Sequence, residues 1–138
     1  MKIFQYLGED HMGRPVILNR AKNVRVNEMD LDKYCQYWLY YMEIFVPSKM
    51  RGHASQMNII ADLEDVGTGN FKLAVTRKNI NDGTIYCAER QYKFFAVNVN
   101  MFAYYCWKFI KPLLPKKTVE KIFIGGSDIK EITESLLL

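Results

Sequence analysis

Apolar and polar positions along the chain read in turn as strand, helix and strand. Ile3 to Leu7 alternates weakly, as an edge strand does, and Asp10-His11-Met12-Gly13 carries Asp and Gly where a type I turn favours them. Pro15 follows at the mouth of a second strand, Val16 to Arg20, where its missing N–H does least harm. Leu31, Tyr34, Trp38, Tyr41 and Phe45 recur at helical spacing, with Cys35 and Met42 beside them. This pattern predicts a helix capped by Asn27 or Asp30 that runs to Val46 and stops before Pro47. Such an aromatic stripe is core in most proteins, the lining of a ligand pocket being the alternative. After a loop from Ser48 to Gln56, Met57 to Leu63 is apolar nearly throughout, as a parallel strand covered on both faces should be. A second helix is expected from about Asn70 to Ile80.

The most informative stretch runs from Tyr86 to Ser127. Two apolar strands, Phe94–Val99 and Ile122–Ile124, flank a short helix of about Met101 to Lys111. Met101, Phe102, Ala103, Tyr104, Tyr105, Cys106 and Trp107 follow one another there with no polar stripe. A surface helix normally has one apolar and one charged face, so an apolar surface all round must bury both sides or cover something apolar with one of them. Beyond Gly125-Gly126-Ser127, Asp128 and Glu131 have the spacing of a capping box for a last helix, and the chain ends on Leu136, Leu137 and Leu138. Strands alternating with helices in this way predict an α/β layer with a mainly parallel sheet.

Composition narrows the function more by exclusion than by assertion. At 138 residues and 49% apolar, the chain has the size of one domain with a substantial core. A net charge of +4 suits an anionic membrane surface and is a poor basis for nucleic-acid binding. No apolar run reaches bilayer length and the N-terminus lacks a signal-peptide core. Cys35, Cys87 and Cys106 form no C-x-x-C pair, which points to reduced thiols and an intracellular protein. Gly67-Thr68-Gly69 begins like a dinucleotide loop, but Lys72 stands where the third glycine belongs and Glu64-Asp65 would repel a pyrophosphate. With no phosphate-binding loop, nucleophile elbow or metal-ligand spacing, no catalytic residue, cofactor or metal is expected. The turn accounts for Asp10 and His11 more simply than catalysis does, and His53 reads as an exposed loop side chain.

Five blocks in order carry a likeness to a known family. They are Asp10-x-x-Gly13-Arg14-Pro15-Val16, then Ile60-x-Asp62-Leu63, then Tyr86-x-x-Glu89-Arg90-x-x-Lys93-Phe94. Phe109-x-Lys111-Pro112-x-Leu114 and Thr118-Val119-x-Lys121-Ile122-Phe123-Ile124-x-Gly126-Ser127 complete the set. The chain thereby resembles the CRAL-TRIO lipid-binding domain. The resemblance implies a single α/β domain over residues 1–138, its mainly parallel sheet flanked by helices and forming the floor of a hydrophobic lipid pocket. The helix at Met101–Lys111 would be the gate, with Phe102, Tyr105 and Phe109 lining the pocket. Family members usually carry a helical module before this domain and a further sheet element after it, and this sequence is expected to lack both.

In the branch of the family that binds phosphatidylinositol, a Glu-Arg pair, a Thr and the Lys opening the last strand meet the head group. The matching residues are Glu89, Arg90, Thr118 and Lys121. A carboxylate accepts from inositol hydroxyls, while Arg and Lys make charge-assisted bonds to the phosphodiester. A weak Glu89–Lys121 surface ion pair is the plainer alternative. Where relatives that bind phosphatidylcholine carry hydroxyls, this chain has Met57 and Ile59. Lys108, Lys111, Lys116 and Lys117 gather about the gate helix and the segment after it, either facing an anionic leaflet or simply solvated. The expected function is therefore to bind and transfer phosphatidylinositol or a related phosphoinositide, without catalysis, as a cytoplasmic protein touching membranes peripherally. The alternative is a protein-interaction module that serves a small GTPase or its regulator, or a homodimer covering the apolar tail Ile132–Leu138.

Overall fold

A computed structural model describes residues 3–25, 30–52, 54–70 and 91–124, together with Ile132 and Glu134. The helix expected beyond Asn70, the Glu89-Arg90 pair, His53, the Asp128–Glu131 cap and most of the apolar tail lie outside these residues.

The described strands form one five-stranded sheet in chain order. They are β1 (Phe4–Glu9), β2 (Pro15–Arg20), β3 (Met57–Asp62), β4 (Gln91–Val97) and β5 (Ile122–Ile124). β1 and β2 are an antiparallel hairpin, and β2 to β5 run parallel, so the mainly parallel sheet expected from the sequence is present. The hairpin turns where Asp and Gly predict it: the Gly13 N–H donates to the Asp10 carbonyl at 3.1 Å. Gly13 has φ +80°, and a Cβ there would stand 2.5 Å from the Arg51 carbonyl oxygen, so only glycine fits. All six residues of β3 are buried, as expected for a nearly apolar strand covered on both faces, its polar Asn58 and Asp62 being hydrogen-bonded. β4 ends at Val97 rather than at the expected Val99, because Asn98 takes a left-handed φ of 55°, which Asn tolerates better than most residues.

Alternation along the strands gives the sheet two apolar faces. On one, Phe4, Ile17, Met57 and Ile59 meet Tyr41, Met42 and Val46, with Trp38, Phe45 and Phe94 at the margin. The other gathers Val16, Leu18, Ile60 and Val97, with Phe95 and Ile132 against them. The aromatic stripe read from the sequence is thus mainly core. Its rings stack as a column, Phe4 to Tyr41 at 4.8 Å and Tyr41 to Phe45 at 4.6 Å between centroids. Burial, with Tyr37 close by, pushes the Tyr41 phenol up to about 12.

The helix carrying that stripe starts as predicted at the Asp30 cap, whose carboxylate accepts from the N–H groups of Asp32 and Lys33. It does not stop before Pro47. α1 (Leu31–Tyr40) widens into a π-turn over Tyr41–Phe45, and the helix resumes as α2 (Val46–Ser48). A proline ring collides with the carbonyl four residues upstream in a regular helix and cannot donate to it. The wider π-turn relieves both problems just before Pro47 while keeping Tyr41, Met42 and Val46 in the core.

Candidate functional site

The helix α3 (Met101–Ile110) leaves β4 through Asn98-Val99-Asn100, and side chains fix its first turn. Asn100 caps it, accepting from the Ala103 N–H at 2.8 Å, and its amide donates to the Val66 carbonyl at 3.0 Å. Asn98 donates to the Asp62 carboxylate at 3.0 Å, and the same oxygen accepts from the Glu64 N–H at 3.0 Å. The start of α3 is therefore stitched to the loop leaving β3, which gives Asp62 of the Ile60-x-Asp62-Leu63 block a positioning role. The sequence reading missed these ties, although two Asn residues between a strand and a helix are a signal for them.

α3 is apolar on both sides, as its sequence requires. Ala103 is buried, and Phe102, Cys106, Trp107 and Ile110 are half-buried. Met101 (73% exposed), Tyr104, Tyr105 and Phe109 (70%) face outward, and Lys108 joins them at helical spacing. Of the three residues expected to line a pocket, Phe102 lies half-buried while Tyr105 and Phe109 stand on the exposed face. The Lys108 ammonium sits 4.8 Å from the Tyr104 ring centroid, against the aromatic surface. Burial pushes the Cys106 thiol up, so it is a poor nucleophile at neutral pH.

Past α3, a single 3-10 turn at Lys111–Leu113 leads into α4 (Lys116–Val119). Lys108, Lys111, Lys116 and Lys117 are all exposed. α4 turns directly into β5: the Lys121 N–H donates to the Thr118 carbonyl at 3.1 Å, and the Phe94 N–H donates to the Lys121 carbonyl at 2.9 Å. Thr118 and Lys121 thus come together, half-buried, at the mouth of β5 beside β4. Glu89 and Arg90 precede Gln91, the first residue of β4, by two positions and one in the chain and lie outside the described residues. Met57 and Ile59 are in the core beside Tyr41 and Met42 and present no hydroxyl.

A separate polar knot closes the same end of the sheet. The Asp10 carboxylate accepts from the N–H groups of Met12 and Arg14, from the Arg14 guanidinium and from the Asn58 amide at 2.9 Å. Burial raises its pKa, but these bonds together outweigh that and hold the carboxyl below the ordinary carboxylate value. The Arg14 guanidinium lies 3.7 Å over the Tyr92 ring, tying the β1–β2 turn to β4. Among the described residues no group of His, Cys, Asp and Glu could hold a metal, and no helix is long and apolar enough to cross a membrane.

The fold agrees with what comparison with known proteins finds. A phosphatidylinositol/phosphatidylcholine transfer protein from Arabidopsis thaliana, SFH12, is 28% identical over 135 residues, covering 87% of this chain and 25% of its own length. The crystal structure of Sfh5 superposes with a TM-score of 0.77 at 18% identity, over 97% of this chain and 49% of that one. The chain thus spans about a quarter of the one relative and about half of the other. At that identity Sfh5 speaks for the fold, an α/β layer with a mostly parallel five-stranded sheet. The CRAL/TRIO domain profile matches residues 1–136 of the 138, and the protein belongs to the CRAL/TRIO domain family.

Proposed function

We propose that the protein binds a phospholipid with an inositol head, phosphatidylinositol or a phosphorylated relative, and exchanges it at anionic membranes without performing catalysis. The observation that carries this reading is α3, which turns Met101, Tyr104, Tyr105 and Phe109 to solvent. Each large apolar side chain moved from water into a lipid phase contributes about 1.5–3 kcal/mol, so the face is costly unless it meets lipid. Lys108 lies on that face, the exposed Lys111, Lys116 and Lys117 follow it in the chain, and each adds about 1 kcal/mol near an anionic leaflet. Apolar insertion therefore outweighs charge, with the lysines selecting the anionic surface. Membership of the CRAL/TRIO family and the similarity to a phosphatidylinositol/phosphatidylcholine transfer protein support lipid as the cargo. Apolar Met57 and Ile59 leave a choline phosphate without donors at their positions, which favours the inositol head.

In this reading Thr118 and Lys121, with Glu89 and Arg90, receive the head group. Lys121→Ala then removes one charge-assisted bond of about 1.5–3 kcal/mol, which weakens phosphatidylinositol binding about tenfold or more. Uptake of a neutral diacylglycerol and the melting temperature change little. Transfer of phosphatidylinositol between vesicles, measured for wild type and Lys121→Ala, tests this, and undiminished transfer would sink the head-group assignment.

A further inference from the structure

Strand register puts a second lysine beside Lys121. Asn58 is paired with Lys93 and Phe94 with Ile122, so Lys121, the residue just before β5, comes next to Lys93 on β4. The Phe94 N–H to Lys121 carbonyl bond, 2.9 Å, holds the two strand mouths in this register. The Lys93 ammonium lies 5.4 Å from the Tyr92 ring centroid and 5.8 Å from that of Phe123, and Phe123 stacks on Phe95 at 5.4 Å. Lys93 thus shares the face of Phe95 and Phe123, with two rings shaping its position.

Both lysines are half-buried, and among the described residues neither has a carboxylate partner. Like charges abreast on a sheet are destabilising, and aromatic faces attract an ammonium without neutralising it. Arg14, the other cation against Tyr92, is already neutralised by Asp10 at 3.3 Å. Among the described residues the Lys93–Lys121 corner holds no anion, and two ammonium groups with the Thr118 turn beside them suit a phosphate.

We infer that Lys93 is a specificity-determining residue of the head-group site, closing on the same phosphate as Lys121 from the neighbouring strand. This rests on the proposed inositol-lipid function, and the test keeps the two apart. Binding of the full chain to vesicles containing phosphatidylinositol, to soluble glycerophosphoinositol and to a fluorescent diacylglycerol is measured for wild type, Lys93→Gln, Lys93→Arg and Lys121→Ala. Lys93→Gln is expected to lose about tenfold in affinity for the phosphate-bearing probes and nothing for diacylglycerol, and Lys93→Arg to keep most of the affinity. Binding to the vesicles alone identifies a membrane lipid as the source of the phosphate, and equal binding to the soluble probe identifies the free head. A role limited to packing would weaken all three probes together in Lys93→Gln, which overturns the inference. If Lys121→Ala loses phosphatidylinositol and Lys93→Gln does not, this inference fails and the head-group reading stands. If wild type binds neither phosphate-bearing probe, both fall.

Discussion

Asp10 carries a charge into the protein, and four donors make that tolerable: the N–H groups of Met12 and Arg14, the Arg14 guanidinium and the Asn58 amide. Asp10→Asn keeps the shape and discards the charge, and loss of charge-assisted bonding is expected to cost about 1.5–3 kcal/mol. The pH dependence has a definite sign. Asp10 is held below the ordinary value of 3.8, so its contribution is fully present above that pH and fades as pH falls through the lower folded value. Urea unfolding of wild type and Asp10→Asn should show an equal gap at about pH 7 and about pH 5, and a narrower one at about pH 3. A gap independent of pH would mean that the charge plays no part. The turn around Asp10 was legible because its Asp and Gly are three positions apart. Its bond to Asn58 was not, since the partner is 48 residues away and only the sheet register brings them together.

Elements were legible where local chemistry decides them. The position of α3 follows from its apolar run, and β3 follows from a segment apolar nearly throughout. Pro47 misled because the local rule against proline in helices met a stronger demand from packing: Tyr41, Met42 and Val46 are held by the core, and a π-turn reconciles the two. The end of β4 was placed two residues late because β-branched Val99 looks like strand, whereas Asn98 has already turned. The fastening of α3 makes its own prediction. Asn100→Ala removes both the cap on Ala103 and the tie to Val66, and should cost about 1–2 kcal/mol. Hydrogen exchange should quicken in the first turn of α3 and at Val66, with β2 and β3 unaffected. Unchanged exchange there would show that other contacts position the helix.

At the scale of the whole molecule, alternation of strands and helices was enough for a mainly parallel α/β sheet, because parallel strands must be crossed over by helices. The candidate site was less legible. Thr118, Lys121, Glu89 and Arg90 have no periodic signature and were named only through likeness to a family. The sheet brings Thr118 and Lys121 to one mouth, while Lys93 went unremarked as a candidate because its relation to Lys121 exists only in strand register. The exposed face of α3 was the most legible functional feature, since a helix with no polar stripe has to answer for its second side. The head-group site and the exposed face of α3 both depend on a lipid cargo with an inositol head. The most direct measurement is to incubate the purified chain with a total lipid extract, re-isolate it and identify the bound lipids by mass spectrometry. Phosphatidylinositol or its phosphorylated forms are expected, enriched well above their share of the extract. Recovery of no lipid, or of phosphatidylcholine in preference to inositol lipids, would contradict that expectation.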